Sequence, residues 1–233
     1  MLYPPRPVRK ARRRPAAQSG FTIVELSVAV AIAGVLLVAA IALVQVVLRQ
    51  TRTNDLVSSI PRTLTQIDKM YARATNFGTL DTQIAIGFGA FDGAFDITGP
   101  ANARVATHRF GYRTLARRAT SFRSADDGAA YAVMYAGIPR AACADVVTSA
   151  AASGVLGLIV APETGVVGTP AFDEAQAEGL TIGMFDATRA APPAGIRVKG
   201  TERNGALDVE RMAGSNACGT NSDTVTIAMV NWK

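Results

Sequence analysis

The sequence predicts an α+β protein in which a long N-terminal helix, transmembrane in its first half, packs on a head of antiparallel β-sheet. An apolar run near the N-terminus, followed by apolar residues every three or four positions, predicts the helix. Short segments of β-branched and alternating residues between turn signals predict the sheet. The predicted domains are a basic leader over residues 1–20, the helix over 21–75 and the head over 76–233.

The first 20 residues carry the whole charge excess of the chain. They hold six of the 24 basic residues and no acid, which leaves 18 basic against 18 acidic residues in the remainder. Basic residues beside an apolar run keep that end in the cytoplasm, so the net charge of +6 indicates membrane topology. The hydrophobic content of 49% excludes a disordered chain.

The apolar run extends from Leu26 to Val44 and contains a single polar residue, Ser27. Its 19 residues are enough to span a bilayer as a helix. A signal peptide, a signal anchor and a buried core helix are the ordinary explanations, but the apolar region of a signal peptide is usually only about 7–15 residues long. A plain anchor does not explain Glu25, because a carboxylate in an apolar stretch costs free energy unless it has a partner.

The segment from Gly20 to Leu26, with the sequence GFTIVEL, resembles the processing motif of type IV prepilins. It joins a small residue, an apolar residue and an acid four positions further on, between a basic leader and an apolar helix. The resemblance implies that prepilin peptidase cleaves between Gly20 and Phe21 and methylates the new N-terminus. It also implies that Glu25 acts in assembly, by pairing with the Phe21 amine of a neighbouring subunit in the apolar filament core.

The predicted helix continues well beyond the apolar run. Gly34 matches a glycine that many of these pilins carry, where it permits local unwinding; close helix packing is the alternative explanation. From Leu56 to Ala74 apolar residues recur at helical spacing, which predicts an amphipathic second half. Pro61 is expected to kink or interrupt that half, because proline lacks the amide hydrogen.

The head is expected to begin with a glycine-rich loop over residues 76–102 that contains the near-repeat Gly-Ala-Phe-Asp. This loop has neither the lysine of a phosphate-binding loop nor the alternating oxygen ligands of a calcium loop. A short helix is predicted from Pro139 to Ser153. Strands are predicted at Arg104–Thr114, Ala130–Ala136, Val155–Val160, Leu180–Phe185, Ile196–Val198 and Thr224–Trp232.

The strand and helix that meet at Gly137–Cys143 resemble the head of type IVb pilins, such as toxin-coregulated pilin and the thin-pilus pilins of conjugative plasmids. The resemblance implies a disulfide between Cys143 and Cys218, which an oxidising periplasm would favour. Two free buried thiols are the alternative. The 20-residue leader also favours type IVb, whereas Phe21 is more typical of type IVa pilins and pseudopilins.

Catalytic motifs are missing, so an enzyme, a cofactor and a metal site are not expected. The single histidine, His108, is predicted on a polar face of a strand or loop. Six arginines with interleaved aromatic residues between Ile97 and Ala125 are compatible with DNA binding, but a solvated or subunit-pairing face is the preferred interpretation.

We therefore expect a structural subunit of a type IV pilus, most similar to type IVb, for adhesion, aggregation or conjugation. The implied partners are prepilin peptidase and other copies of the pilin, with no nucleic acid. The precursor is expected in the bacterial inner membrane and the product in an extracellular pilus. A pseudopilin of a type II secretion system and a signal-anchored periplasmic protein are the alternatives.

Overall fold

The computed structural model describes residues 22–119, 128–162, 195–200 and 205–232. The chain divides into two compact units, Met1–Val46 and Val47–Lys233. The first helix, α1, is Ile23–Met70 and contributes to both units. In the first unit every described residue of the helix is exposed, and an 18-residue window within the helix has a mean hydropathy of 2.8. This part of α1 is long and apolar enough to cross a membrane.

The C-terminal half of α1 belongs to the second unit and buries an apolar stripe. Leu56, Ile60, Leu64 and Ile67 are at most 4% exposed, at the spacing expected for one face of a helix. Pro61 lies on the exposed side, and the helix passes through it without interruption. The predicted interruption was therefore wrong, because the buried residues on both sides hold the helix together.

A seven-stranded antiparallel sheet forms the centre of the head, as predicted. Its strands in chain order are β1 Asp96–Thr98, β2 Val105–Thr107, β3 Arg113–Ala119, β4 Ala130–Pro139, β5 Gly157–Pro162, β6 Ile196–Lys199 and β7 Thr224–Trp232. They are arranged in the order β1-β2-β3-β4-β7-β5-β6, and every pair is antiparallel. The two longest strands, β4 and β7, lie next to each other and are buried over most of their length.

In the described part of the head three helices accompany α1: α2 Thr82–Gly87, α3 Arg140–Ala152 and α4 Val209–Ala213. An aspartate caps α2, because Asp81 Oδ1 accepts the Ile84 amide hydrogen at 2.7 Å, and Asp208 caps α4 in the same way at 2.9 Å. At the C-terminal end of α3, Lys199 Nζ donates to Ala151 O at 3.0 Å, which places a cation at the negative end of the helix dipole.

A polar network ties α1 to the sheet beneath it. The Tyr131 hydroxyl on β4 donates to Asp68 Oδ1 of α1 at 2.9 Å, and Asn231 Nδ2 of β7 donates to the Tyr131 oxygen at 3.4 Å. Asn231 Oδ1 in turn accepts the Leu156 amide hydrogen at 2.9 Å. Burial, together with the Asp68 charge, raises the pKa of Tyr131 well above its usual value, so the hydroxyl keeps its proton. The end of α1 is thereby held at a defined position on the sheet.

Some segments differ from their predicted structure. The expected loop over 76–102 contains α2 and β1, and α4 was not predicted. The single strand expected at Arg104–Thr114 is two strands, β2 and β3, because a tight turn at Gly111 reverses the chain with a φ of +88°. The strand predicted at Leu180–Phe185 lies outside the described residues.

Candidate processing and assembly site

The start of α1 is set by a side-chain cap that was not predicted from the sequence. The Glu25 amide hydrogen bonds to Thr22 Oγ1 at 3.2 Å, and the Leu26 amide bonds to Thr22 O at 3.1 Å. The signal was present in the sequence, because threonine followed three positions later by glutamate is the pattern of a capping box. Gly20 and Phe21, the predicted cleavage residues, lie outside the described residues.

Glu25 lies in the first turn of α1 and is exposed. The positive end of the helix dipole stabilises a carboxylate at this position. Within the described part of the chain Glu25 forms no ion pair. Its neighbours Ile23, Val24 and Leu26 are apolar side chains with exposed fractions of 61–88%. One charge therefore stands at the end of a long apolar surface, and the described chain supplies no cation for it.

The apolar surface of α1 continues without a break through the first unit. Its large side chains, from Ile23 to Leu48, are 50–88% exposed. Burying an apolar side chain contributes about 1.5–3 kcal/mol, so burial of this surface in a bilayer or against other apolar helices would be favourable.

Gly34 lies within this exposed part of α1. A Cβ atom added at Gly34 would meet nothing within 4 Å. The packing of the described chain therefore does not require a glycine here, and Gly34 has no positive φ that would demand one. Any requirement for the glycine must come from contact with another helix or from local unwinding, the two explanations that the sequence left open.

Cys143 and Cys218 form a disulfide, with their Cα atoms 5.5 Å apart. Cys143 lies on α3 and is fully buried, whereas Cys218 belongs to the segment between α4 and β7. The Cys218 amide also donates to Met212 O of α4 at 3.0 Å. The bond thus fastens α3 to the segment that leads into the last strand, as the resemblance to type IVb pilins implied.

Replacing Cys143 and Cys218 by alanine is expected to lower the stability of the head by about 4.5 kcal/mol, if loop entropy of the unfolded chain dominates. The loop spans 75 positions, which makes this entropy large. Urea unfolding of the oxidised wild type and the double variant measures the difference, and non-reducing peptide mapping should recover the two cysteines as one linked pair. Two alkylatable thiols in the natural protein would contradict the assignment.

His108 is buried and does not lie on a polar face, so that prediction was wrong. Its side chain is 2% exposed in the turn between β2 and β3. Nε2 donates to Ala136 O at 2.7 Å, and Nδ1 accepts the Phe110 amide hydrogen at 3.3 Å. These bonds give the ring a structural role that joins the turn to β4. In the described ranges no group of three or more metal-ligating side chains is found.

Comparison with known proteins agrees with the position of this site. Residues 15–41 match the family model described as the prokaryotic N-terminal methylation motif. Curated protein sequences give no match. Among solved structures the chain is similar to a type IV b pilin from Salmonella typhi, with 16% identity, a TM-score of 0.40, and coverage of 76% of this chain and 97% of that one. The predicted prepilin motif is thus confirmed: the chain carries a prokaryotic N-terminal methylation motif at the start of its exposed apolar helix.

Proposed function

We propose that this protein is a structural subunit of a type IV pilus, most similar to type IVb. One observation carries the proposal: the methylation motif at residues 15–41 overlaps the first part of α1, in which the large apolar side chains from Ile23 to Leu48 are all exposed. A chain that only needed a membrane anchor would have no use for a methylation motif. A filament of packed apolar helices accounts for both features.

The proposed route begins in the inner membrane. The basic leader holds the N-terminus in the cytoplasm, and prepilin peptidase cleaves between Gly20 and Phe21. Cleavage creates the Phe21 amine, a cation that the precursor lacks. In the filament, Glu25 of one subunit pairs with this amine of a neighbour, because an isolated carboxylate among apolar helices is costly. The pair would set the axial register of the subunits.

The first half of the helix would occupy two apolar environments, the membrane and the filament core. In the membrane its apolar residues from Leu26 to Val44 face lipid, and in the filament they face the same helix of other subunits. The head remains outside the membrane, since its charges and its disulfide suit an oxidising aqueous compartment.

The proposal also concerns the pilus subtype and the biological role of the filament. The position of the two cysteines favours type IVb, with adhesion, aggregation or conjugation as the role. Phe21 favours the second candidate, a pseudopilin of a type II secretion system. Long surface filaments on cells that express the protein at its natural level support the pilus, whereas their absence in secreting cells supports the pseudopilin.

The mass of the mature N-terminal peptide tests the proposal. We expect a peptide that begins with methylated Phe21 in protein taken from filaments or membranes. The sequence Ala40-Ile41-Ala42 could serve as a signal-peptidase site. A chain that still carries residues 1–20, or that starts after Ala42, would contradict both the pilin and the pseudopilin, and would show that the segment is a signal anchor or a signal peptide.

A further inference from the structure

The strand that joins the two parts of the head sheet follows both of them in the chain. In the order β1-β2-β3-β4-β7-β5-β6, β7 lies between β4 and β5 and is antiparallel to each of them. β4 and β5 are not neighbours in the sheet. Without β7, the described strands therefore fall into two separate groups, β1-β2-β3-β4 and β5-β6.

β7 is paired along both of its edges. Ile227, Ala228 and Met229 each have one partner on β4 and another on β5. Because β7 supplies hydrogen-bond partners to both neighbours, its absence would leave unpaired N–H and C=O groups along β4 and along β5. Both strands are buried over most of their length, and long apolar edges of this kind are prone to pair with other chains.

The side chains of β7 contribute to both faces of the sheet, since successive residues of a strand point to opposite sides. Ile227 and Met229 belong to the buried cluster that includes Ile67 of α1, whereas Ala228 and Val230 belong to the second buried cluster. All four residues of β7 are 0% exposed. Neither cluster is complete until this strand is in place.

The end of β7 also completes the tie to α1. Asn231 Nδ2 donates to the Tyr131 oxygen at 3.4 Å, and the Tyr131 hydroxyl donates to Asp68 of α1. Asn231 Oδ1 accepts the amide hydrogen of Leu156, which lies just before β5. One side chain of β7 thus joins the start of β5 to the network that holds α1.

The residues just before β7 are attached where β4 passes into α3. The Arg140 amide at the start of α3 donates to Asp223 O at 2.9 Å. Cys218, in the same segment, is linked to Cys143 of α3. These bonds place the start of β7 at the end of β4, next to the space that β7 fills.

Chain order gives β4 and β5 a different way to pair. Both are antiparallel to β7 and are therefore parallel to each other, and α3 connects them with a helix of 13 residues. Two parallel strands joined by a helix of this length can be direct neighbours. In the head β7 keeps them two strand spacings apart, about 10 Å. Entry of β7 therefore decides the final arrangement of the sheet.

We propose that the head stays open until residues 224–232 have emerged, and that β7 then closes it by entering between β4 and β5. Chains are made from the N-terminus, so β4, α3 and β5 are available before β7. Entry of β7 completes both buried clusters and the tie to α1 in one step. The inference goes beyond the proposed function and concerns a single chain. In a pilus subunit, this order would keep unfinished chains out of the filament.

The test follows the full-length chain as it emerges. A Gly-Ser linker of variable length joins residue 233 to a sequence that arrests translation, so that the linker length sets how much of the head is outside the ribosome and the membrane channel. Membranes that carry the arrested chains are opened with mild detergent and treated briefly with protease. We expect digestion of the head to slow about tenfold or more at one linker length, because proteolysis follows the population of the open form.

Two cysteine reporters show which residues have emerged at each linker length. In Cys143→Ala the unpaired Cys218 reacts with a bulky maleimide once it is outside. In a chain with both native cysteines replaced by alanine, Lys233→Cys reports the emergence of the end of β7. Digestion should slow at the linker length that first labels the Lys233→Cys chain.

Slow digestion at a length that labels Cys218 but not the Lys233→Cys chain would overturn the inference, because the head would then be closed without β7. Digestion that stays fast at every linker length, while the released chain resists the protease, would overturn it as well. In that case the emergence of β7 would not be sufficient to close the head.

A matched pair of substitutions separates emergence of β7 from its entry into the sheet. Ala228 is fully buried in β7, whereas Ala144 is exposed on α3. Ala228→Asp should be digested rapidly at every linker length, because a carboxylate would be buried between the two neighbouring strands. Ala144→Asp should behave like the wild type. Slow digestion of Ala228→Asp at the wild-type length would contradict the role of β7.

These outcomes are separate from those that test the proposed function. Neither protease resistance nor labelling requires a filament or a cleaved N-terminus. A chain that never assembles would still close its head at the same linker length, whereas the mass of the N-terminal peptide and the presence of filaments test the function itself.

Discussion

Glu25→Ala is expected to abolish filaments while processing stays normal. The residue lies beyond the proposed scissile bond, and its proposed partner, the Phe21 amine, would exist only after cleavage. Removing one member of a buried ion pair costs about 3–5 kcal/mol, because the other charge is left without a partner. At about 1.4 kcal/mol per factor of ten, association of subunits should weaken by at least on the order of a hundredfold. Gel shift of the precursor and the yield of sheared filaments, measured in one strain, give the two readouts.

Ser27→Ala provides the matched control, because Ser27 lies half a turn further on and its hydroxyl only bonds to Val24 O of its own helix, at 2.8 Å. It should assemble normally. Co-expressed with wild type, Glu25→Ala should enter filaments poorly, since its neighbour's amine would face no carboxylate. A normal filament yield from Glu25→Ala alone would show that the ion pair does not set the register. Glu25 would then be a charge that the helix start tolerates without a role in assembly.

Gly20→Val is expected to leave the full-length precursor in the membrane. The peptidase must approach the backbone closely at the scissile bond, and a branched side chain at this position would obstruct that approach. Mature protein should fall below detection, and filaments should disappear with it. Immunoblots of membrane fractions measure the ratio of precursor to mature chain.

Ser19→Val places the same side chain one residue earlier and should be cleaved at a rate close to that of the wild type. This control separates a requirement at the scissile bond from a general effect of bulk in the leader. Normal amounts of mature protein from Gly20→Val would contradict the prepilin interpretation, whatever the result for Glu25.

The candidate site could be predicted because its parts are neighbours in the chain. Gly20 and Phe21 are adjacent in the proposed processing motif, and the apolar run that follows them can be recognised by its length and composition. Neither requires a folded head. The capping role of Thr22 could have been predicted for the same reason, because a capping box is a local pattern of two side chains and two amides.

The head was predicted less completely because its contacts are not local. The long strand β7 was correct from Thr224 to Trp232, since its alternation and β-branched residues are strong. The shorter β1 and α4 were not visible, because three to five residues carry too little periodicity to be recognised. Pro61 shows the reverse case, in which local chemistry predicted a break and the buried residues on both sides kept the helix whole.

Sequence alone determined the class of the protein: a basic N-terminal segment, a methylation motif, an apolar helix and a largely antiparallel head, each encoded by charge, hydrophobicity or turn residues over a short stretch. Only the tertiary structure decided which strands are neighbours, that His108 is buried against β4, and that the Tyr131 hydroxyl joins the sheet to Asp68 of α1. Those relations join residues far apart in the chain, and they depend on how side chains pack once the sheet has closed around its core, which no local pattern specifies.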